Sequence, residues 1–206
     1  MIRLLELYPE HLNLNGDRGN LQVLEKRLGW ASVDVQSFTH RPGQPLPATA
    51  PDFVLIGHGS PAAWRQVYSD LSRIAPTLQE WLDGGTQFLA VSSGFAALHG
   101  LLSELPQSVQ RIARVSKFED AESAGFEAIG YRNSDLDLPS LMVSGNFVGT
   151  LLHGPLLAKN ETLADSIVER LLSRANVTVA VGSTKKSEVS GYASKASELA
   201  LELASE

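Results

Sequence analysis

The chain contains no cysteine among its 206 residues. That absence excludes disulfides, thiolate zinc sites and catalysis by a thiol of this chain. No apolar run reaches transmembrane length, and the apolar start at 1–7 contains a glutamate and no small-residue cleavage pattern. There is no basic block and the net charge is −6, so a nucleic-acid partner has no electrostatic support. We expect a cytoplasmic protein that neither inserts into a membrane nor binds nucleic acid.

Short apolar segments alternate with helical patterns along most of the chain. Strands are predicted at 2–8, 31–38, 52–56, 88–91, 109–118, 141–143, 148–152 and 177–181. Helical apolar stripes are predicted at 21–28, 64–82, 95–102, 164–171 and 189–203, and Pro76 is expected to interrupt the second of these. The polar segment 119–137 shows no regular pattern. The alternation predicts a mainly parallel sheet covered by helices on both faces, in one domain over 1–206.

Ser92 is the candidate nucleophile of this sequence. The buried strand at 88–91 ends abruptly at Ser92, and Gly94 allows a sharp turn into the following helix. A strand-to-helix turn of this kind lifts one side chain above the sheet, where nucleophiles are commonly presented. His153 follows another predicted strand and precedes a Gly-Pro exit, so it can serve as the general base for Ser92. Both candidates lie at the carboxyl ends of strands, the edge where open α/β sheets bind ligands.

Small residues beside these strand ends suggest a site for a substrate carbonyl. Gly57 and Gly59 form a Gly-x-Gly turn after the third predicted strand, and Ser93 and Gly94 follow the candidate nucleophile. Glycine permits close approach of a carbonyl to backbone N–H groups, so we expect these four residues to bind substrate and its oxyanion. The alternative is an ordinary sheet whose strand ends need small residues to turn, because such triplets are common by chance.

The remaining histidines are weaker candidates than His153. His58 lies in the glycine turn, where it either lines a pocket or is a surface residue, and three others are expected to be structural or solvated: His11, His40 and His99. No pair of histidines has a metal-ligand spacing and the acidic residues are scattered, so we expect no metal and no cofactor. The loop at 15–20 lacks the Walker lysine and the full G-x-G-x-x-G pattern, which argues against nucleotide binding.

Three features of the sequence together indicate a family. The segment His153-Gly-Pro-Leu-Leu-Ala-Lys-Asn is similar to the catalytic histidine segment of the class I glutamine amidotransferases of the CobB/CobQ-like type. The loop Asn15-Gly-Asp-Arg-Gly-Asn, with a leucine-rich helix after it, is similar to the Y-G-D-x-G-N motif of that family. The order of strand, Gly-x-Gly turn, helix and nucleophile turn also fits. Across 1–175, the chain resembles in particular the GatD branch, the glutaminase subunits of lipid II isoglutaminyl synthase.

The resemblance implies a flavodoxin-like, three-layer domain in which a cysteine attacks the glutamine amide and releases ammonia. It further implies that the ammonia passes to a MurT-like Mur ligase subunit, which amidates the D-glutamate of lipid II within a heterodimer. By position, His153 is the base and Ser92 stands in the place of the nucleophile. We expect apolar residues near Trp64 and Tyr68 to contribute to the partner surface.

Several positions depart from the family pattern. The usual C-G-G-[YF]-Q appears as Ser92-Ser-Gly-Phe-Ala, and the F-E-N-H-x-G-R-T segment is eroded at 126–133. Pro155 occupies the position where relatives often carry an acid that orients the histidine. The glutamine-binding arginine has no clear counterpart, and Arg111 and Arg114 are the candidates. These losses weaken the expectation of glutaminase activity.

Three interpretations therefore remain open. The first is an active amidotransferase or serine amidohydrolase that uses Ser92 and His153. The second is a non-catalytic subunit that keeps the amidotransferase fold to hold a MurT-like partner. The third is an unrelated flavodoxin-like binding module that uses the same sheet edge for a small ligand.

Overall fold

A computed structural model of the chain describes residues 1–99, 117–132, 134 and 136–177. The predicted strand at 109–118 lies mostly outside the described residues, and so do the predicted strand at 177–181 and the helical stripe at 189–203. No helix in the described ranges is long and apolar enough to cross a bilayer.

The described elements follow the predicted alternation of strand and helix. The strands are β1 (Ile2–Leu7), β2 (Val35–His40), β3 (Phe53–Ile56), β4 (Gln87–Val91), β5 (Lys117–Ser123), β6 (Phe126–Arg132), β7 (Leu141–Ser144), β8 (Phe147–Thr150) and β9 (Leu152–His153). The helices are α1 (Gly19–Trp30), α2 (Pro61–Asp83), α3 (Ser93–His99), α4 (Leu156–Lys159) and α5 (Glu161–Arg174).

Within the described ranges, the central sheet has six strands in the order β2-β1-β3-β4-β8-β7. Every neighbouring pair in this sheet is parallel except β7 with β8. The register pairs Leu7 of β1 with Ile56 of β3, and Val91 of β4 with Thr150 of β8. The carboxyl ends of these four strands therefore meet at one edge, where open α/β sheets bind ligands.

Successive side chains of the central strands enter two separate core layers, as the two-residue period of a strand requires. Leu4 of β1 and Leu55 of β3 pack in the layer that contains α1, α4 and α5. Leu5 of β1 and Val54 of β3 pack in the opposite layer, which contains α2. Helices thus cover both faces, and the prediction of an α/β fold with a mainly parallel central sheet is confirmed.

A second, antiparallel sheet contains three strands in the part of the chain that the structure describes, in the order β5-β6-β9. The interpretation of 119–137 as irregular is therefore wrong. The turn between β5 and β6 has left-handed backbone at both Ala124 (φ 51°) and Gly125 (φ 81°). Two positive φ angles are what a type I′ hairpin turn requires, and alanine is not a residue that usually signals one. Tyr131 of β6 pairs with His153 of β9, so this sheet holds the candidate base.

Helix α2 runs without a break through Pro76, so the predicted interruption there is wrong. Ser60 caps the start of the helix, as expected for a serine before a first-turn proline. Proline inside a helix costs about 3 kcal/mol, because it removes a hydrogen bond and crowds the preceding turn. Leu71 and Leu78, buried on either side of Pro76, each contribute ~1.5–3 kcal/mol and offset that cost.

The aromatic face of α2 packs into the core instead of facing solvent. Trp64 is only 1% exposed, and its indole Nε1 donates to Ser93 Oγ at 2.7 Å. Trp64 itself is therefore not available to a partner, while Tyr68 is half-buried, and the partner surface expected near these residues stays a prediction. The role of Trp64 is to join α2 to the start of α3.

Candidate functional site

Ser92 lies at the carboxyl end of β4, in the turn that leads into α3. Its backbone is left-handed, with φ of 51°, a strained conformation for a residue other than glycine. The Ser92 N–H donates to Thr150 O at 2.6 Å, which ties the end of β4 to the end of β8. The side chain is buried, at 2% exposure. The backbone has the geometry of a strand-to-helix turn that presents a nucleophile.

The sharpness of this turn depends on close packing at Gly94. A Cβ built at Gly94 would lie 2.6 Å from Gly57 O and 2.9 Å from Ile56 O. Any side chain would therefore push the start of α3 away from the end of β3. The left-handed residue of the turn is Ser92 and not Gly94, so the glycine provides room and not backbone freedom.

His153 ends β9, and the chain leaves it through Gly154 in a left-handed conformation, with φ of 73°. The imidazole is buried, at 5% exposure, and its Nδ1 lies 2.7 Å from Asn15 Nδ2. Its Nε2 is also buried and has no hydrogen-bond partner among the described residues. One ring nitrogen is thus held by Asn15, and the other is available for chemistry.

His153 is neutral at physiological pH. Burial, with a smaller contribution from His58 nearby, lowers the pKa of His153 to about 4. A neutral ring keeps a lone pair on one nitrogen, which a general base requires. A base must also reach its nucleophile, and no hydrogen bond joins His153 to Ser92 in the described part of the chain. The first requirement is met, and the predicted Ser92–His153 pair stays a prediction.

His58 contacts both candidate segments. Its ring packs edge-on against the ring of His153, with centroids 5.1 Å apart. Its Nδ1 lies 2.9 Å from Ser93 Oγ and accepts the Ser93 N–H at 3.4 Å. Of the two roles left open for His58, the contacts favour a residue of the site over a surface residue. They also occupy the Ser93 N–H, which is one of the expected oxyanion donors.

The hydroxyl of Ser93 joins three elements of the fold. Trp64 Nε1 donates to Ser93 Oγ at 2.7 Å and Gly59 N donates at 3.0 Å. With both acceptor positions occupied, the hydroxyl hydrogen donates either to His58 Nδ1 at 2.9 Å or to Gly59 O at 3.3 Å. These contacts give the buried hydroxyl a structural role, and the substrate-binding role expected for Ser93 stays a prediction.

Gly57 and Gly59 make room for the loop that follows β1. A Cβ at Gly57 would lie 2.0 Å from Leu12 O, and one at Gly59 would lie 2.4 Å from Leu12 Cδ2. The same loop is held by the Leu14 N–H, which donates to His58 O at 3.0 Å. The contacts give both glycines a packing role, and their expected role in binding substrate remains a prediction.

Asp17 is a buried acid at the site that sequence reasoning did not single out. Its Oδ2 accepts the His58 N–H at 2.7 Å, and its Oδ1 has no hydrogen-bond partner in the described ranges. Burial raises the pKa of Asp17 to about 6, although the bond from His58 opposes the rise. A loop sequence does not distinguish a buried aspartate from an exposed one, so only the fold reveals this residue.

Asp17→Asn is expected to change how stability depends on pH. The pKa of Asp17 is 3.8 as an ordinary aspartate and about 6 in the fold, so the folded chain binds the proton more tightly. The free energy of unfolding contributed by Asp17 therefore falls as pH rises from about 4 to about 6. Asparagine does not titrate, so the variant does not lose this contribution as pH rises. Over that range, its free energy of unfolding should rise relative to that of the parent by up to ~3 kcal/mol, at ~1.4 kcal/mol per pKa unit. Urea denaturation at several pH values measures the gain.

The matched control for this prediction is Asp34→Asn, because Asp34 is exposed on the surface. Its free energy of unfolding should follow that of the parent across the same pH range. A parent and an Asp17→Asn variant whose stabilities change in parallel from pH 4 to pH 7 would contradict the prediction.

The described residues provide neither a metal-binding cluster nor the glutamine-binding arginine that the family resemblance implies. No group of three or more histidines and acids there is arranged to hold a metal ion. The candidate glutamine-binding residues Arg111 and Arg114 lie outside the described ranges. The guanidinium of Arg132 donates to groups in the segment 134–140. Arg132 therefore holds that loop in place.

The fold and the site define a mixed α/β protein with a strained turn at the carboxyl edge of its sheet. No protein-family model matches the chain. Among curated proteins, the chain is 23% identical over 210 residues to the lipid II isoglutaminyl synthase (glutamine-hydrolyzing) subunit GatD of Staphylococcus aureus, strain N315. The similarity covers 85% of this chain and 86% of that protein. It supports a glutamine amidotransferase-like family for the chain.

Solved structures overlap with the chain more loosely. A glutamine amidotransferase from Thermotoga maritima covers 97% of this chain and 93% of its own, with a TM-score of 0.48 and 14% identity. PurLQS from the same organism covers 84% of this chain and 99% of its own, with a TM-score of 0.48 and 13% identity. Overlaps of this quality do not establish a shared fold family.

Proposed function

We propose that this chain is a glutamine amidotransferase-like subunit of the CobB/CobQ-like, GatD type, acting with a MurT-like Mur ligase in lipid II amidation. The observation that carries the proposal is the strained turn at Ser92, at the sheet edge near which His153 is also held. The similarity to the Staphylococcus aureus subunit supports it over nearly the whole chain. A cytoplasmic location is part of the same proposal.

We further infer that the subunit releases little ammonia from glutamine. A thiol with a pKa near 8.5 is a few per cent ionised at neutral pH and is intrinsically nucleophilic. A serine hydroxyl is far less acidic and depends on a well-oriented base. Because His153 makes no hydrogen bond to Ser92 in the described part of the chain, Ser92 lacks that support. The chain then serves mainly as a non-catalytic subunit, which keeps the amidotransferase fold in order to bind the MurT-like ligase.

A serine amidase is the second candidate function. The neutral ring of His153 and its unpartnered Nε2 favour it when Asn15 turns its Oδ1 towards Nδ1, because Nδ1 then carries the proton and Nε2 keeps the lone pair that a general base requires. Hydrogen bonds at catalytic sites are often long before substrate binds, so contact between Ser92 and His153 can still form in a complex. This candidate predicts measurable ammonia release that depends on the Ser92 hydroxyl.

The test measures ammonia release from glutamine by the chain co-expressed and purified with a Mur-ligase-like partner. We expect the two chains to co-elute on size exclusion, and the rate to be no higher than that of Ser92→Ala in the same complex. The alanine variant should still bind the partner, because Ser92 has no described side-chain bond. Turnover well above that of Ser92→Ala would instead identify a serine amidase. A chain that elutes alone would remove the subunit proposal.

A further inference from the structure

The contact between Asn15 and His153 has no role in the function proposed above. Asn15 Nδ2 lies 2.7 Å from His153 Nδ1, and the two residues are separated by 138 positions in the sequence. Among the described residues, this is the one hydrogen bond made by the His153 ring, because Nε2 has no partner. Asn15 therefore contributes the one described hydrogen bond that orients the imidazole, beside the edge-on packing of the His58 ring.

The loop that carries Asn15 is fastened on both sides of it. Before Asn15, the Leu14 N–H donates to His58 O at 3.0 Å. After it, Asp17 Oδ2 accepts the His58 N–H at 2.7 Å. Two bonds to the same residue of the β3 turn thus hold the short segment between them. Asn15 reaches His153 from a loop that is already held in place.

An amide group at Nδ1 also controls where the proton of a neutral imidazole resides. An asparagine presents either a donor, Nδ2, or an acceptor, Oδ1, and the ring nitrogen that faces it must take the complementary form. One imidazole tautomer then predominates, and the form of Nε2 follows from that choice. Burial strengthens the preference, because His153 is 5% exposed and water has little access to its ring.

We propose that Asn15 is a positioning residue for His153, which fixes the orientation of the ring and selects which nitrogen carries the proton. Asn15 acts through His153 and does not itself touch the reacting atoms. The inference rests on the proposed function in one respect, which is that the proposed function supplies the reaction in which Nε2 takes part. Its test needs neither glutamine nor a partner, so a failed ammonia assay leaves it unaffected.

The experiment records long-range ¹H–¹⁵N correlations of the histidine rings in ¹⁵N-labelled protein, with His153→Ala to assign the His153 signals. In the parent, we expect one tautomer of His153 to predominate by about five- to tenfold, the range that one net hydrogen bond supports. Asn15→Ala should abolish that preference. Asn15→Asp presents only acceptors and a negative charge, so it should protonate Nδ1 and raise the pKa of His153 by about 1 unit or more.

Asn13→Ala is the matched control from the same loop. Asn13 Oδ1 accepts the Arg18 N–H at 3.0 Å and makes no contact with His153, so its loss disturbs the loop but not the ring. A His153 tautomer ratio unchanged in Asn15→Ala would overturn the proposal, and so would an equal change in Asn13→Ala. Circular dichroism checks that each variant is folded. If Asn15→Ala is unfolded, the titration of His153 in Asn15→Asp is the deciding measurement. A pKa of His153 that is the same in Asn15→Asp as in the parent would then overturn the proposal.

Discussion

Trp64→Ala is expected to lower the free energy of unfolding by about 3–5 kcal/mol, the range for removing a large, fully buried aromatic side chain. Trp64 is 1% exposed and packs in the core layer between α2 and the central sheet. Its truncation leaves a cavity that the surrounding side chains fill only in part. It also removes the indole N–H that donates to Ser93 Oγ, so the start of α3 is loosened together with the core.

Trp64→Phe separates the cavity from the hydrogen bond. Phenylalanine fills most of the volume but has no N–H, so Ser93 Oγ keeps Gly59 N and His58 as partners and loses one donor. We expect a smaller loss, of about 1–3 kcal/mol, from the unpaired position and the reduced volume. Urea denaturation followed by far-UV circular dichroism measures both variants without relying on tryptophan fluorescence.

Trp30→Ala is the control for these variants, because Trp30 is half-buried at the end of α1. Its loss of stability should be clearly less than that of Trp64→Ala. Equal losses for the two alanine variants would show that the indole of Trp64 contributes no more to the core than a half-buried one.

The centre of the main sheet could be predicted because its inner strands β3 and β4 are buried on both faces. All four residues of β3, Phe53–Ile56, are buried, and so are all five of β4, Gln87–Val91. Apolar runs of this length between turn residues are typical of a parallel sheet covered by helices. The β7–β8 pair was also predictable, since Gly145 supplies the positive φ of its turn.

The second sheet and the unbroken α2 could not be predicted by the same reasoning. The β5–β6 turn places Ala124 in a left-handed conformation, and alanine carries no signal for that. Pro76 is tolerated in α2 because burial of the helix face outweighs its local cost, which is a tertiary effect. In both cases, packing between distant segments decides a structure that local propensity opposes.

The candidate site shows the same division between local and long-range information. The turn at Ser92 is a local feature and lies where the sequence predicts it. The single strand predicted at 148–152 is wrong, because the structure divides it into β8 of the central sheet and β9 of the second sheet, and His153 ends β9. The contacts of Asn15 with His153 and of Asp17 with His58 join segments that are far apart in sequence. No spacing rule links such pairs, so their roles become visible only when the loop after β1 is placed against the end of β3.

The largest gain of reactivity should come from a double variant, Ser92→Cys with His58→Ala. Ser92→Cys alone supplies the thiol that this chain lacks, yet the Ser93 N–H still faces His58 Nδ1 at 3.4 Å. Removal of the imidazole frees that N–H for a developing oxyanion, and one such donor contributes about 10²–10³ in rate. Because the existing contact is long and therefore weak, we expect the labelling rate of the double variant to exceed that of Ser92→Cys by at least about tenfold, which is less than the full effect of one donor.

The measurement is the rate of covalent labelling of Cys-containing variants by 6-diazo-5-oxo-L-norleucine, followed by mass spectrometry of the adduct. This glutamine analogue is a diazoketone, whose diazo-bearing carbon takes up a proton, loses N₂ and forms a C–S bond with the thiolate. Ser92→Cys with His11→Ala is the control, because His11 contacts the exposed Gln66 at 3.3 Å and not the site. The Ser93 hydroxyl can still donate to Gly59 O after His58 is removed, so the turn should remain folded. Equal labelling of Ser92→Cys with and without His58 would show that His58 does not obstruct the site. Labelling requires access of the reagent to the thiol but no transfer of ammonia. The labelling rate therefore distinguishes a pocket that is obstructed from a pocket that is open but cannot pass ammonia to a ligase.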